Sequence, residues 1–124
     1  FRSIATTRDL GKTWIEHPGS YNALPDPVCM GSLIKSTVWV KGEKKEVLFF
    51  SNPNTTSGRF NLTIKASTNL GDSWPKDQQI LIDERLGFGY SCITPIDATS
   101  IGIVYEGIRE LYFVKVKVSD FFNR

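Results

Sequence analysis

The chain has one histidine, one methionine and two cysteines in 124 residues. A single imidazole and no Cys-x-x-Cys pair leave too few ligands for a zinc site. No metal and no organic cofactor is expected. Charge is nearly balanced: 15 Lys and Arg against 13 Asp and Glu give a net charge of +2. No basic residues line up in the stripe that nucleic acid requires, and Lys41-Gly42-Glu43-Lys44-Lys45 reads as a polar hairpin tip. No apolar run approaches the roughly 18 residues of a membrane span. Cys29 and Cys92 lie in apolar, strand-like contexts; a disulfide between them is one reading, and two buried free thiols is the favoured one. Asn54-Thr55-Thr56 and Asn61-Leu62-Thr63 match the glycosylation pattern, but three-residue patterns arise by chance and Asn61 falls in a predicted strand.

What is present is a repeat. Thr7-Arg8-Asp9-Leu10-Gly11-Lys12-Thr13-Trp14 recurs sixty residues later as Ser67-Thr68-Asn69-Leu70-Gly71-Asp72-Ser73-Trp74. Fixed-period repeats mark repeat architectures, and this spacing fits one four-stranded sheet per repeat, as in the blade of a β-propeller. The box is a turn device. Asp9 and Asn69 accept hydrogen bonds from nearby backbone N–H groups and tolerate the left-handed region. Gly11 and Gly71 supply a positive φ. Trp14 and Trp74 are expected to anchor each turn against neighbouring strands. The structural reading is favoured over a calcium loop, since calcium takes about six to eight oxygens, several of them carboxylates, and each box core offers one carboxylate or none.

The rest of the chain reads as strands. Leu33–Val40 and Glu46–Ser51 flank the Lys41–Lys45 turn, and Arg59–Ala66 alternates as a half-buried strand does. Gln79–Asp83 follows the second box and completes a four-stranded blade. Ser91–Asp97, Ile101–Glu106 and Leu111–Val118 form a further blade with three strands. Residues 119–124 are expected to add a turn of helix or a tail. The fold class is thus all-β: about two and a half blades of four-stranded antiparallel sheets from a larger propeller. Residues 1–26 form the outer part of one blade, 27–87 a complete blade and 88–124 a final, incomplete one. Phe1-Arg2-Ser3 opens mid-pattern, so the remaining N-terminal part of the same ring is the expected partner.

Three polar residues sit at strand mouths. Arg59 follows the turn-rich loop 52–58, Tyr90 ends Gly87-Phe88-Gly89-Tyr90, and Glu106 ends the apolar run Ile101-Gly102-Ile103-Val104-Tyr105-Glu106. Taken singly, each has a bland reading as a surface or strand-end residue. In order with the two boxes, they resemble the C-terminal part of a bacterial exo-α-sialidase (neuraminidase), over essentially the whole chain. The box itself resembles the Asp box of that family's six-bladed propeller.

That resemblance implies a retaining glycosidase that releases terminal sialic acid from glycoconjugates. Tyr90 matches the nucleophile and Arg59 the third arginine of a triad that clamps the substrate carboxylate. Glu106 matches a carboxylate that orients another arginine of the triad. The residue types suit the chemistry. A planar, permanently charged guanidinium grips a carboxylate bidentately. A neutral tyrosine also escapes the repulsion that the substrate carboxylate would impose on a carboxylate nucleophile. The acid/base aspartate, the first arginine and the glutamate that activates the tyrosine are expected upstream of Phe1. The second arginine is expected just before the first box; Arg2 reads instead as a strand residue. Asp26, Asp83 and Asp97 lack the context of an acid/base, and residues 26–32 are a weak candidate for pocket wall. The resemblance further implies a secreted or periplasmic setting, a sialylated glycan substrate and no activity for this chain alone. A trans-sialidase on the same core and a non-catalytic Asp-box binding module are the alternatives.

Overall fold

The structure is a computed structural model describing residues 1–123. Among these, nine strands form three antiparallel sheets. The short strands β1 (Ala5–Thr6) and β2 (Ile15–Glu16) pair with each other. β3 (Ser32–Val40), β4 (Glu43–Pro53), β5 (Leu62–Ser67) and β6 (Gln79–Asp83) form a sheet in sequence order. β7 (Ser91–Asp97), β8 (Ser100–Glu106) and β9 (Leu111–Lys117) form the third. A 3₁₀ turn at Val118–Phe121 supplies the expected helical turn, and Arg124 lies outside the described residues.

Strand alternation builds the core. Val38, Val47, Phe49 and Ile64 project from the second sheet and Ile93, Ile101 and Ile103 from the third, all 3% exposed or less. Phe121 closes one end, its ring centroid 5.3 Å from that of Phe49. Each such side chain contributes about 1.5–3 kcal/mol by leaving water, so these two sheets form one unit. At the other end the sheets are stitched by hydroxyls: Ile93 N–H donates to Ser32 Oγ at 3.0 Å, and Ser51 Oγ meets Ser91 Oγ at 2.7 Å.

Both boxes fold as the same device. Thr13 N–H donates to Asp9 Oδ1 at 2.8 Å, and Ser73 N–H to Asn69 Oδ1 at 2.9 Å. Gly11 N–H and Gly71 N–H donate to the hydroxyls of Thr7 and Ser67, each at 2.9 Å. The left-handed positions are Leu10 and Leu70 with the glycines after them, not Asp9 and Asn69, whose side chains are occupied as acceptors. Trp74 packs edge-on against Phe50, as an anchor should. Trp14 finds no such partner among the described residues: it is 62% exposed, and its indole N–H returns to Gly11 O.

Several sequence expectations shift. Lys41 and Gly42 both take positive φ, the type I′ geometry that closes a hairpin in two residues, so β4 already begins at Glu43. Asn52 and Pro53 belong to β4 rather than to the following loop. β5 starts at Leu62, not Arg59, because Asn61 adopts φ 54° and breaks the extended run. β5 is also buried on both faces instead of one, leaving Lys65 only 2% exposed. Both cysteines are free; Cys29 is buried, but Cys92 is exposed, since alternation turns Ile93 to the core and Cys92 to the open face of β7. Arg2 lies before β1 and outside any strand.

Candidate active site

Arg59, Tyr90 and Glu106 are brought together at one end of the two large sheets. The loop between β6 and β7 places them. It passes so close to β8 that a Cβ on Gly87 would lie 2.6 Å from the Glu106 carbonyl oxygen. Gly87 N–H donates to Arg59 O at 3.0 Å, and Phe88 N–H to Gly107 O at 3.2 Å. Gly89 adopts φ 94° in the slot between Arg59 and Cys29, where a Cβ would sit 3.0 Å from Arg59 Cδ and Cys29 Sγ. Glycine is required here on both counts, conformation and space.

Tyr90 is then held by its backbone at both polar groups. Its N–H donates to Glu106 Oε2 at 3.2 Å and its carbonyl accepts from Glu106 N–H at 3.0 Å. The ring stays 44% exposed, and its hydroxyl has no hydrogen-bond partner among the described residues.

The Arg59 guanidinium carbon lies 5.6 Å from the Tyr90 ring centroid. Nη1 donates to Phe88 O at 2.8 Å and Nη2 to Val28 O at 3.2 Å. A guanidinium carries five N–H donors, so most remain for an anionic ligand. No carboxylate pairs with Arg59 among the described residues. An unneutralised guanidinium beside an exposed phenol can hold a carboxylate against it. Beside them a cleft of ≈ 220 Å³ is bounded by Arg59, Glu106, Phe60, Leu86, Arg85 and Tyr112.

The aspartates occupy structural positions. Asp83 accepts from Arg85 at 2.8 and 3.0 Å and from the Tyr105 hydroxyl at 2.9 Å. The Arg85 guanidinium, foremost, holds its carboxyl well below the usual carboxylate range. Asp97 accepts from Thr99 and Ser100, which bring its pKa down to about 2. Neither carries a proton to donate at neutral pH. Asp26 is paired with Arg2 at 2.8 Å. Among the described residues no group of three or more His, Cys, Asp or Glu could hold a metal ion.

Val28 and Cys29, both in the candidate wall 26–32, are neighbours of the site, in contacts the sequence does not specify. Val28 offers its carbonyl to Arg59, and the buried Cys29 thiol donates to Gly89 O at 3.4 Å. A valine gives no sequence sign of φ 58°, because β-branched residues shun that region. Of the candidate wall 26–32, Cys29 is buried while Met30 is 60% exposed.

No protein-family model matches the chain. A sialidase of Bacteroides fragilis (strain YCH46) is 48% identical over 120 residues, covering 96% of this chain and 22% of that protein. Among solved structures, the Hadza microbial sialidase Hz136 superposes with a TM-score of 0.85 at 45% identity, over 94% of this chain and 23% of that one. The chain therefore spans less than a quarter of the length of these relatives. Its sheets are blades of the β-propeller on which sialidases are built. At this identity over nearly all of its length, the chain belongs to the sialidase family.

Proposed function

We propose that this chain supplies the last blades of a retaining exo-α-sialidase, with Tyr90 as nucleophile and Arg59 as one clamp on the substrate carboxylate. The observation that carries the reading is the pairing of an Arg59 without a carboxylate partner among the described residues with the exposed Tyr90, whose ring centroid lies 5.6 Å away. A sialoside bears its carboxylate on the anomeric carbon. Seating that group on Arg59 therefore presents the carbon to a phenol beside it. In this reading the Tyr90 oxygen forms a bond to the anomeric carbon while the glycosidic oxygen leaves with a proton from an acid elsewhere in the ring. Water then displaces tyrosine from the same carbon, and two inversions give net retention. Glu106 keeps the Tyr90 backbone in place and has its other carboxylate oxygen available for an arginine of the clamp. The tyrosine needs a base to act near neutrality, since a free phenol titrates near 10. Glu106, engaged with the Tyr90 backbone, is not that base.

The remaining blades, the acid/base and the other arginines come in this reading from the part of the propeller outside residues 1–124. The enzyme's setting is extracellular or periplasmic, where sialylated glycans are met, and among the described residues no helix is long and apolar enough to cross a membrane. The test is time-resolved NMR of the intact protein acting on an aryl α-sialoside with lactose present as acceptor. The α-anomer of free sialic acid should appear first; the β-anomer first, or transfer to lactose as the dominant product, contradicts the reading. The isolated chain should show no turnover.

A further inference from the structure

We propose that Arg2 is a positioning residue for Arg59, acting through a strained turn at Val28; the inference rests on the reading of Arg59 as a carboxylate clamp. Val28 holds φ 58° while its side chain is 87% exposed. That conformation is an outlier for a β-branched residue, and side-chain packing does not impose it. Such strain persists only where the surroundings over-determine the backbone.

Arg2 does so from both sides of the turn. Its Nη1 donates to Asp26 Oδ1 and to Cys29 O, each at 2.8 Å. The guanidinium is itself seated over the Phe50 ring, 5.4 Å from the centroid. Arg2 is fixed in turn by its backbone, whose N–H donates to Leu24 O at 2.8 Å and whose carbonyl accepts from Tyr21 N–H at 2.8 Å. With residues 26 and 29 pinned, the Val28 carbonyl between them is aimed at Arg59 Nη2, 3.2 Å away. The Phe88 carbonyl holds Nη1, so two carbonyls set the plane of the guanidinium over Tyr90. Arg2 reaches the site at second hand, from the unit that carries the first box.

An arginine that only tied two parts of the fold together would alter stability and leave ligand affinity alone. The experiment compares wild type, Arg2→Met and Arg2→Lys in the intact protein. Each is titrated calorimetrically with N-acetylneuraminic acid and crystallised without ligand. Arg2→Met should weaken binding by about tenfold or more, the loss of one well-set charged hydrogen bond. In turnover of an aryl sialoside the loss should fall on KM more than on kcat. Arg2→Lys should recover most of it, because an ammonium with three donors can serve both oxygens. In the Arg2→Met crystal Val28 should return to negative φ and Arg59 Nη2 should leave its carbonyl. An Arg2→Met protein with wild-type affinity, or with Arg59 still on the Val28 oxygen, overturns the proposal. A wild-type protein that does not bind the acid counts against the sialidase reading, and the crystallographic arm still decides the positioning role.

Discussion

Arg59 and Tyr90 are joined twice: the guanidinium stands over the ring at 5.6 Å, and its Nη1 holds the carbonyl of Phe88, two residues before the tyrosine. In the proposed reading one side chain thus serves both the substrate carboxylate and the loop that carries the phenol. Arg59→Lys should therefore fail almost as badly as Arg59→Ala. A lysine offers one point charge and cannot span the Phe88 and Val28 carbonyls while keeping donors for a ligand. Both variants of the intact protein should lose about 10- to 100-fold in kcat/KM for a sialoside. A lysine variant within twofold of wild type would show that the planar fork is not used.

Gly89 and Gly42 separate two effects of glycine. Both have positive φ, but a Cβ on Gly42 meets nothing within 4 Å, whereas on Gly89 it meets Arg59 and Cys29 at 3.0 Å. Gly42→Ala should cost about 1–2 kcal/mol of stability, the backbone term alone, and leave turnover near wild type. Gly89→Ala should also displace Arg59 and lower kcat/KM by about tenfold or more. Equal effects of the two substitutions on turnover would contradict the packing described around Gly89.

These contrasts mark how far sequence reaches. The repeat spacing and the alternation of Tyr112 to Lys117 identify the blades, and β6 and β7 fall at their expected bounds. Arg59, Tyr90 and Glu106 are legible as candidates because each is a polar residue beside glycines or a turn near a strand end, and the structure brings the three together. The positive φ of Val28 was not legible, because its turn is held by Arg2, a partner distant in sequence. Nor was the burial of Lys65, since alternation gives the face of a residue and not what covers that face.

Lys65 is 2% exposed, and burial pushes its ammonium down to about 8 from 10.5. Its folded pKa lies below its unfolded one, so the unfolded state binds more protons between about 8 and 10.5 and stability rises with pH across that window. At neutral pH the buried charge is a burden, and Lys65→Met should stabilise the intact protein by roughly 1–3 kcal/mol. The gain should shrink above about pH 8. Denaturant unfolding at pH 7 and pH 10 checks this; a destabilised Lys65→Met at pH 7 would mean the ammonium is well solvated or paired.

Acid acts in the opposite sense on the turns. The Thr13 hydroxyl and N–H bring Asp9 down to about 2, and Thr99 with Ser100 does the same for Asp97. Both carboxylates are depressed in the folded state, so their contribution is present above about pH 4 and is lost as pH falls towards about 2. The melting temperature of the intact protein should fall across that window, and Asp97→Asn should flatten the decline. An unchanged slope in Asp97→Asn would mean the Asp97 turn does not couple to folding.

The central claim is that the exposed phenol of Tyr90 carries the reaction. Its most direct test is Tyr90→Phe in the intact protein, assayed with a fluorogenic sialoside at saturating concentration. The substitution removes one oxygen and leaves the backbone bonds to Glu106 and the stack with Arg59 in place. The account predicts a loss of about 10³-fold or more in kcat, with affinity for N-acetylneuraminic acid nearly retained. Turnover within a few-fold of wild type would contradict it.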